Sequence, residues 1–206
     1  MIEGLTPEGQ LEQVGLQNDP RWQRLNGKEW ICPSCCLSHR GLFDLVCGKP
    51  DCWPGPDDTA DYVPNSFALT SGNFLSEDFC VLNDNCFVRC VLRLPIIGGE
   101  GISFGYGAWS TLSRKNFELY KSMFDVGEMT DLGAWFGWFS NRLEGYPDTL
   151  NLKCRLHPQN DRQRPLIELE PTDHPLAREQ REGITFDRLL EIYALHGHDI
   201  RAALCD

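Results

Sequence analysis

Five of the chain's ten cysteines fall between residues 32 and 52, a stretch too poor in large apolar side chains to pack unaided. Such a stretch needs a crosslink or an ion to hold a shape. Cys32 and Cys35 form C-x2-C, and after eleven residues Cys47 and Cys52 form C-x4-C. Four thiolates at this spacing can close a tetrahedron around zinc. Pro33 and Gly48, each just after a cysteine, suit the tight turns that present two sulfurs to one ion. The expected cofactor is therefore a structural zinc on Cys32, Cys35, Cys47 and Cys52. His39, four residues after Cys35, and Cys80, from the rest of the chain, are alternatives for the later pair; uncoordinated thiols and a disulfide are the others. A four-ligand site leaves no open position, so such an ion explains stability and not catalysis.

The remaining composition is that of an ordinary globular chain: 206 residues, 41% hydrophobic and 24% charged, enough for one domain with a small appended module. No run of eighteen apolar residues occurs, and the opening Met1, Ile2, Glu3, Gly4, Leu5 lacks the basic-then-apolar order of an export signal. Neither membrane insertion nor export is expected, which leaves the cytoplasm. A net charge of −11 argues against nucleic acid as a ligand. Much of that charge sits in residues 50 to 88, with Asp51, Asp57, Asp58, Asp61, Glu77, Asp78 and Asp84 and no Lys or Arg. Pro50, Pro54, Pro56 and Pro64 make the first half an irregular loop. It reads as a solvated acidic loop, with a docking surface for a basic protein partner as the sharper alternative.

Past residue 79 the periodicity is that of strands. Phe79 to Leu82, a turn at Asn83 to Asn85, and Cys86 to Leu94 predict a hairpin, with Cys86, Val88, Cys90, Leu92 and Leu94 on one face and Arg89 and Arg93 on the other. Residues 102 to 111 alternate Ile102, Phe104, Tyr106 and Ala108 with Ser103, Gly105, Gly107 and Trp109. That nearly bare face implies a bulge or a neighbouring element lying close against the strand. Strands are also expected at 150 to 156, with Leu152 and Cys154 buried, and at 166 to 170. Cys90 and Cys154 read as core residues and Cys205 as incidental. Ser113 and Thr185 are positioned to cap helices, ended by Gly127 and Gly197. Residues 134 to 139 form an aromatic cluster. An amphipathic helix near the start is expected to be interrupted at Asn18, Asp19 and Pro20.

Helices that follow groups of strands indicate an α+β fold: a mainly antiparallel sheet with flanking helices and a small cysteine-rich, zinc-ribbon-like module. The corresponding division is an extension over 1–30, the cysteine module over 31–53 and the α+β domain over 54–206.

One segment is dense in groups capable of chemistry: Glu168, Glu170, Asp173, His174, Arg178 and Glu179. A histidine beside a carboxylate can act as a general base or a metal ligand. Thr172, Asp173 and Pro175 describe equally well a turn capping a short helix from Pro175 to Arg181. No G-x-S-x-G, H-E-x-x-H or P-loop is present. His196 and His198 read as surface residues. Two functions follow. One is a non-catalytic binding or protein-interaction module with a structural zinc. The other is a hydrolase-like enzyme with His174, Asp173, Glu170 and Arg89 converging on a pocket edged by Trp109 and Trp138; convergence of His174, Arg89 and Trp109 on one cleft separates the two. The crowding of polar groups from Glu168 to Glu179 places the expected functional region there and at Arg89, away from the zinc.

Residues 76 to 98, 104 to 120 and 136 to 185, above all the run EPTDHPLAREQ from Glu170 to Gln180, resemble the bacterial family catalogued as domain of unknown function 2199. Cys32, Cys35 and His39 are similar to its C-x2-C-G-x2-H start. The resemblance covers about residues 30 to 195 and implies no activity. Cys36 stands where the family usually has glycine, Tyr106 where tryptophan is common, and Cys47 and Cys52 look particular to this chain. The resemblance therefore implies Cys32, Cys35, His39 and Cys80 as the general set, whereas spacing favours Cys47 and Cys52.

Overall fold

A computed structural model describes residues 15–55 and 73–205. Much of the acidic tract, including Asp57, Asp58 and Asp61, and the expected first helix before residue 15 lie outside the described residues.

The helix that is seen begins where an interruption was expected. Asp19 caps α1 (Pro20–Gly27): its side chain accepts the Arg21 N–H at 2.8 Å, and Pro20 occupies the first turn. Proline at that position lacks only an N–H that would have no partner anyway, so Asp-Pro starts this helix instead of stopping one. Trp22 and Leu25 on α1 are buried, and Trp22 meets the ring of Phe186 edge-on at 5.2 Å. Segment 15–55 thus packs into the same core as the sheet.

β1 (Trp30–Ile31) and β2 (Ser38–His39) form a separate small antiparallel pair. All later strands among the described residues belong to one sheet: β3 (Leu45–Val46), β4 (Phe74–Leu75), β5 (Phe79–Leu82), β6 (Asn85–Pro95), β7 (Ser103–Leu112), β8 (Trp135–Trp138), β9 (Lys153–His157) and β10 (Leu166–Leu169). The main path runs β3-β7-β6-β10-β9-β8, with the β4–β5 hairpin added to β6. Pairing is antiparallel except for β10 against β6 and β3 against β7. The α+β class and its mainly antiparallel sheet are as expected.

Alternation decides the faces of the long hairpin. Cys86, Val88, Cys90, Leu92 and Leu94 enter the main core with Phe104, Tyr106, Ala108 and Leu112. Phe87 and Trp109 join Cys80 in a second cluster on the opposite face. Among the described residues there are four α-helices: α1, α2 (Arg114–Phe124), α3 (Pro175–Glu182) and α4 (Phe186–Leu195). Ser113 and Thr185 cap α2 and α4 through their side chains. No described helix is long and apolar enough to cross a membrane.

One strand is unexpected and another starts later than expected. The aromatic cluster is strand β8, with Trp135 buried and Phe136 and Trp138 exposed. The strand expected from residue 150 starts at Lys153, because Asn151 takes φ 60° in a turn that docks on Phe139. Leu152 is consequently half-buried, while Cys154 is fully buried.

The chain after β8 returns to β7: Ser110 bridges Phe139, and the Ser140 N–H donates to the Trp109 carbonyl at 2.8 Å. The two ends of the path β7-β6-β10-β9-β8 thereby meet. Gly137 permits this approach, since a Cβ there would lie 2.5 Å from both Ser110 Oγ and the Thr111 carbonyl oxygen. Gly137→Ala is expected to destabilise the protein by about 1–3 kcal/mol through overpacking against backbone. Gly48→Ala, which meets nothing within 4 Å, is expected to be close to neutral; denaturant unfolding of the two variants compares them.

Candidate metal centre

β1 and β2 pair Trp30 with His39 and Ile31 with Ser38, which leaves residues 32 to 37 as the tip of a tight hairpin. The Cys32 N–H donates to the Leu37 carbonyl at 3.0 Å, and the Cys36 N–H to the Cys32 carbonyl at 2.9 Å. That turn folds Cys35 back beside Cys32. His39 comes to the same place because its ring stacks on the buried Trp30, with centroids 5.1 Å apart. One ligand atom each from Cys32, Cys35 and His39 lies within 4.8 Å of the others, and Cys35 Sγ is 3.2 Å from His39 Nε2. Two sulfurs and an imidazole form a donor set that could hold a metal ion, and its chemistry suits zinc.

The electrostatics favour a thiolate at Cys32. Burial works against its charge, but the N–H groups of Cys35 and Ser34, the His198 ring and the Cys35 thiol outweigh it and bring Cys32 down to about 7. Backbone N–H donors aimed at the sulfur are what a tight cysteine turn offers a metal-bound thiolate.

Cys47 and Cys52 do not join this group. β3 carries Cys47 away from the hairpin tip and onto β7, where its N–H donates to the Gly107 carbonyl at 2.7 Å and its carbonyl accepts Trp109 Nε1–H at 3.0 Å. Its side chain packs against the second cluster, where Cys80 is buried with Phe87 and Trp109. There burial, reinforced by the Asp51 carboxylate, pushes the Cys47 thiol up to about 12, and burial also raises Cys80 and Cys52. The quartet expected from spacing is therefore divided: Cys32 and Cys35 group with His39, while Cys47 packs against the second cluster. His39 is the alternative that the fold brings in; Cys80 is not.

A residue outside the expected set completes the neighbourhood: His198 Nδ1 lies 3.5 Å from Cys32 Sγ. No spacing pattern signals a histidine so distant in sequence from the cysteines.

The other candidate region disperses. His174 is the N-cap of α3, accepting the Leu176 N–H on Nδ1 at 3.2 Å. Its Nε2 is buried and has no hydrogen-bond partner among the described residues. Arg89, 8% exposed, donates from Nη1 to the Glu77 carbonyl at 3.4 Å. It lies opposite the buried Trp109 on β7, on the face away from Cys90 and Leu92, whereas α3 packs Leu176 and Ala177 into the core on their side. Asp173 is exposed, and the Glu170 N–H is used by the Lys153 carbonyl. The crowding from Glu168 to Glu179 has structural uses. Glu168 meets His157 at 2.7 Å, Glu179 binds Tyr146 and Arg188, and the adjacent Gln180 bonds to the backbone of Ile167 and Leu169. An open cleft of ≈ 320 Å³ is lined by Asp78, Arg93, Arg162 and Arg164 among others and by none of the four candidates. Arg164 there is held by Asp78 at 2.7 Å and Glu77 at 2.9 Å.

A family model described as an uncharacterized protein conserved in bacteria, domain of unknown function 2199, matches residues 31–184, and the chain belongs to that family. No curated protein and no solved structure matches it.

Cys36 occupies the turn at φ 59°, the left-handed region that glycine enters without steric cost. Cys36→Gly is expected to raise stability by about 0.5–1 kcal/mol in denaturant unfolding, the relief of strain exceeding the added chain entropy. His174→Ala is expected to cost about 1 kcal/mol as a lost cap, and His174→Asn, which keeps a capping acceptor, a few tenths.

Proposed function

We propose that this family member is a non-catalytic binding module whose N-terminal hairpin is fastened by one structural zinc on Cys32, Cys35 and His39. The observation that carries the reading is the grouping of these three side chains at the tip of a hairpin whose backbone donors already favour a thiolate at Cys32. When bound, the ion supplies a crosslink between the strands of a hairpin too short to be stable alone. Cys32 and Cys35 act as anionic ligands and His39 as a neutral one, oriented by its stacking on Trp30.

The hydrolase-like alternative needs His174, Asp173, Glu170 and Arg89 in one pocket, and the cap role of His174 and the buried position of Arg89 speak against it. For the partner, the net charge of −11 favours a protein with a basic surface. Of the described acids of the tract, Glu77 and Asp78 are engaged by Arg164, and Asp51 by Asn141 and Arg142, which leaves that contact to other acidic residues.

Protein purified under reducing conditions without chelators is expected to carry about one zinc per chain by elemental analysis. Cys32→Ser is expected to lose the metal and several degrees of melting temperature, and Cys205→Ser neither. A metal-free wild-type chain that melts identically with and without added zinc would sink this reading.

A further inference from the structure

We infer that His198 is the fourth metal ligand, so that the centre is a closed Cys2His2 site that clasps the end of the chain to the hairpin tip. The inference rests on the zinc reading of Cys32, Cys35 and His39 and identifies what fills the remaining position.

The distances carry it. Tetrahedral zinc with Zn–S of about 2.3 Å and Zn–N of about 2.05 Å sets a sulfur and a nitrogen about 3.6 Å apart. The two sulfur–imidazole pairs here stand at 3.2 Å (Cys35 with His39) and 3.5 Å (Cys32 with His198). Each cysteine thus has its own histidine near the separation that bound zinc imposes; His198 stands outside the three residues whose ligand atoms all lie within 4.8 Å of one another, so the ion would have to draw it in.

The placement of His198 is built into the fold. Gly197 takes φ 78° after α4, its N–H donates to the Ala194 carbonyl at 3.1 Å, and the His198 N–H donates to the Tyr193 carbonyl at 2.7 Å. This is the paired bonding of a Schellman turn, and it fixes the backbone of the residue after the glycine. Tyr193 in turn is locked to the loop after β2. Its hydroxyl donates to the Phe43 carbonyl at 2.7 Å and accepts the Phe43 N–H at 3.1 Å, and the two rings stack at 4.3 Å. The Phe43 ring also touches both imidazoles, with centroids 4.7 Å from His39 and 5.3 Å from His198. One aromatic side chain therefore backs both nitrogen ligands.

The consequence is chemical. Two cysteines and one histidine alone would leave zinc an open position, as catalytic sites do; His198 closes it and makes the site structural. It also makes the clasp depend on a residue beyond the 31–184 stretch that matches the family.

The full-length chain, zinc-free and reduced, is titrated with zinc against a competing chelator and separately with cobalt(II), as wild type, His198→Ala and His198→Cys. Wild type is expected to bind one zinc and to give the spectrum of tetrahedral cobalt with two sulfur and two nitrogen ligands. His198→Ala is expected to bind zinc at least about 100-fold more weakly, more than the loss of an outer-shell partner would cost. His198→Cys is expected to restore tight binding, with cobalt now showing the stronger charge transfer of three thiolates. If His198→Ala matches wild type in affinity and cobalt spectrum, the fourth ligand is another group and the inference fails, while the zinc reading stands. If wild type binds no zinc, both fail. If His198→Cys binds tightly without added thiolate charge transfer, position 198 does not reach the metal and the inference is overturned.

Discussion

The paired positions of β6 and β7, from Cys86 opposite Leu112 to Pro95 opposite Ser103, fix where every other element can sit. Both strands are longer than any strand on their outer edges, so those edges are shared. β5 takes β6 over Asn85 to Val88 and β10 takes it at Val91 and Leu92. On β7, β3 pairs at Tyr106 and Gly107, and the return after β8 pairs at Ser110. Every backbone group covered in this way is a sheet edge removed from solvent and from other chains. The core follows from the same register, because the alternation that fills one face of both strands with apolar side chains decides which helices can cover it.

The N-terminal segment reaches this platform through the glycine face of β7. At Gly105 a Cβ would lie 2.8 Å from the Asp44 carboxylate, whose Oδ1 accepts the Gly105 N–H at 3.0 Å; at Gly107 a Cβ would press on Val46. Bare backbone lets β3 pair closely with β7, which holds Cys47 against β7 and apart from the group of Cys32, Cys35 and His39. A buried amide completes the seam. Asn141, 1% exposed, accepts the Trp109 N–H and donates to the Lys49 carbonyl and to Asp51. The hairpin tip is thus held near α4 by strand pairing and by the Tyr193–Phe43 contact, and a metal there would fasten two surfaces that the fold has already brought together.

Sequence patterning exposes what is local and hides what is not. Alternation from Cys86 to Leu94 locates β6, and Gly105 and Gly107 announce a close neighbour, because these signals depend on one strand and its pleat. Ser113 and Thr185 announce their helices for the same reason. The Asp19–Pro20 pair is ambiguous in sequence: the ring that ends one helix can open the next, and only the packing of Trp22 decides. The candidate metal site divides along the same line. Cys32, Cys35 and His39 form a short motif, legible once the turn at Cys36 is seen. Cys47 has the right spacing, but strand pairing removes it, and His198 has no spacing at all because it is placed by a glycine-terminated helix and the Tyr193–Phe43 contact. The polar run from Glu168 to Glu179 resembles a functional cluster in sequence because helix caps, ion pairs and strand-edge contacts draw on the same residue types as catalysis.

The closed Cys2His2 clasp is tested most directly by X-ray absorption at the zinc edge of the purified full-length protein. The account predicts a first shell of two sulfurs at about 2.3 Å and two nitrogens at about 2.0–2.1 Å, with the outer-shell scattering of two imidazoles. A shell of three or four sulfurs, or of two sulfurs with a single imidazole and a solvent oxygen, would contradict it.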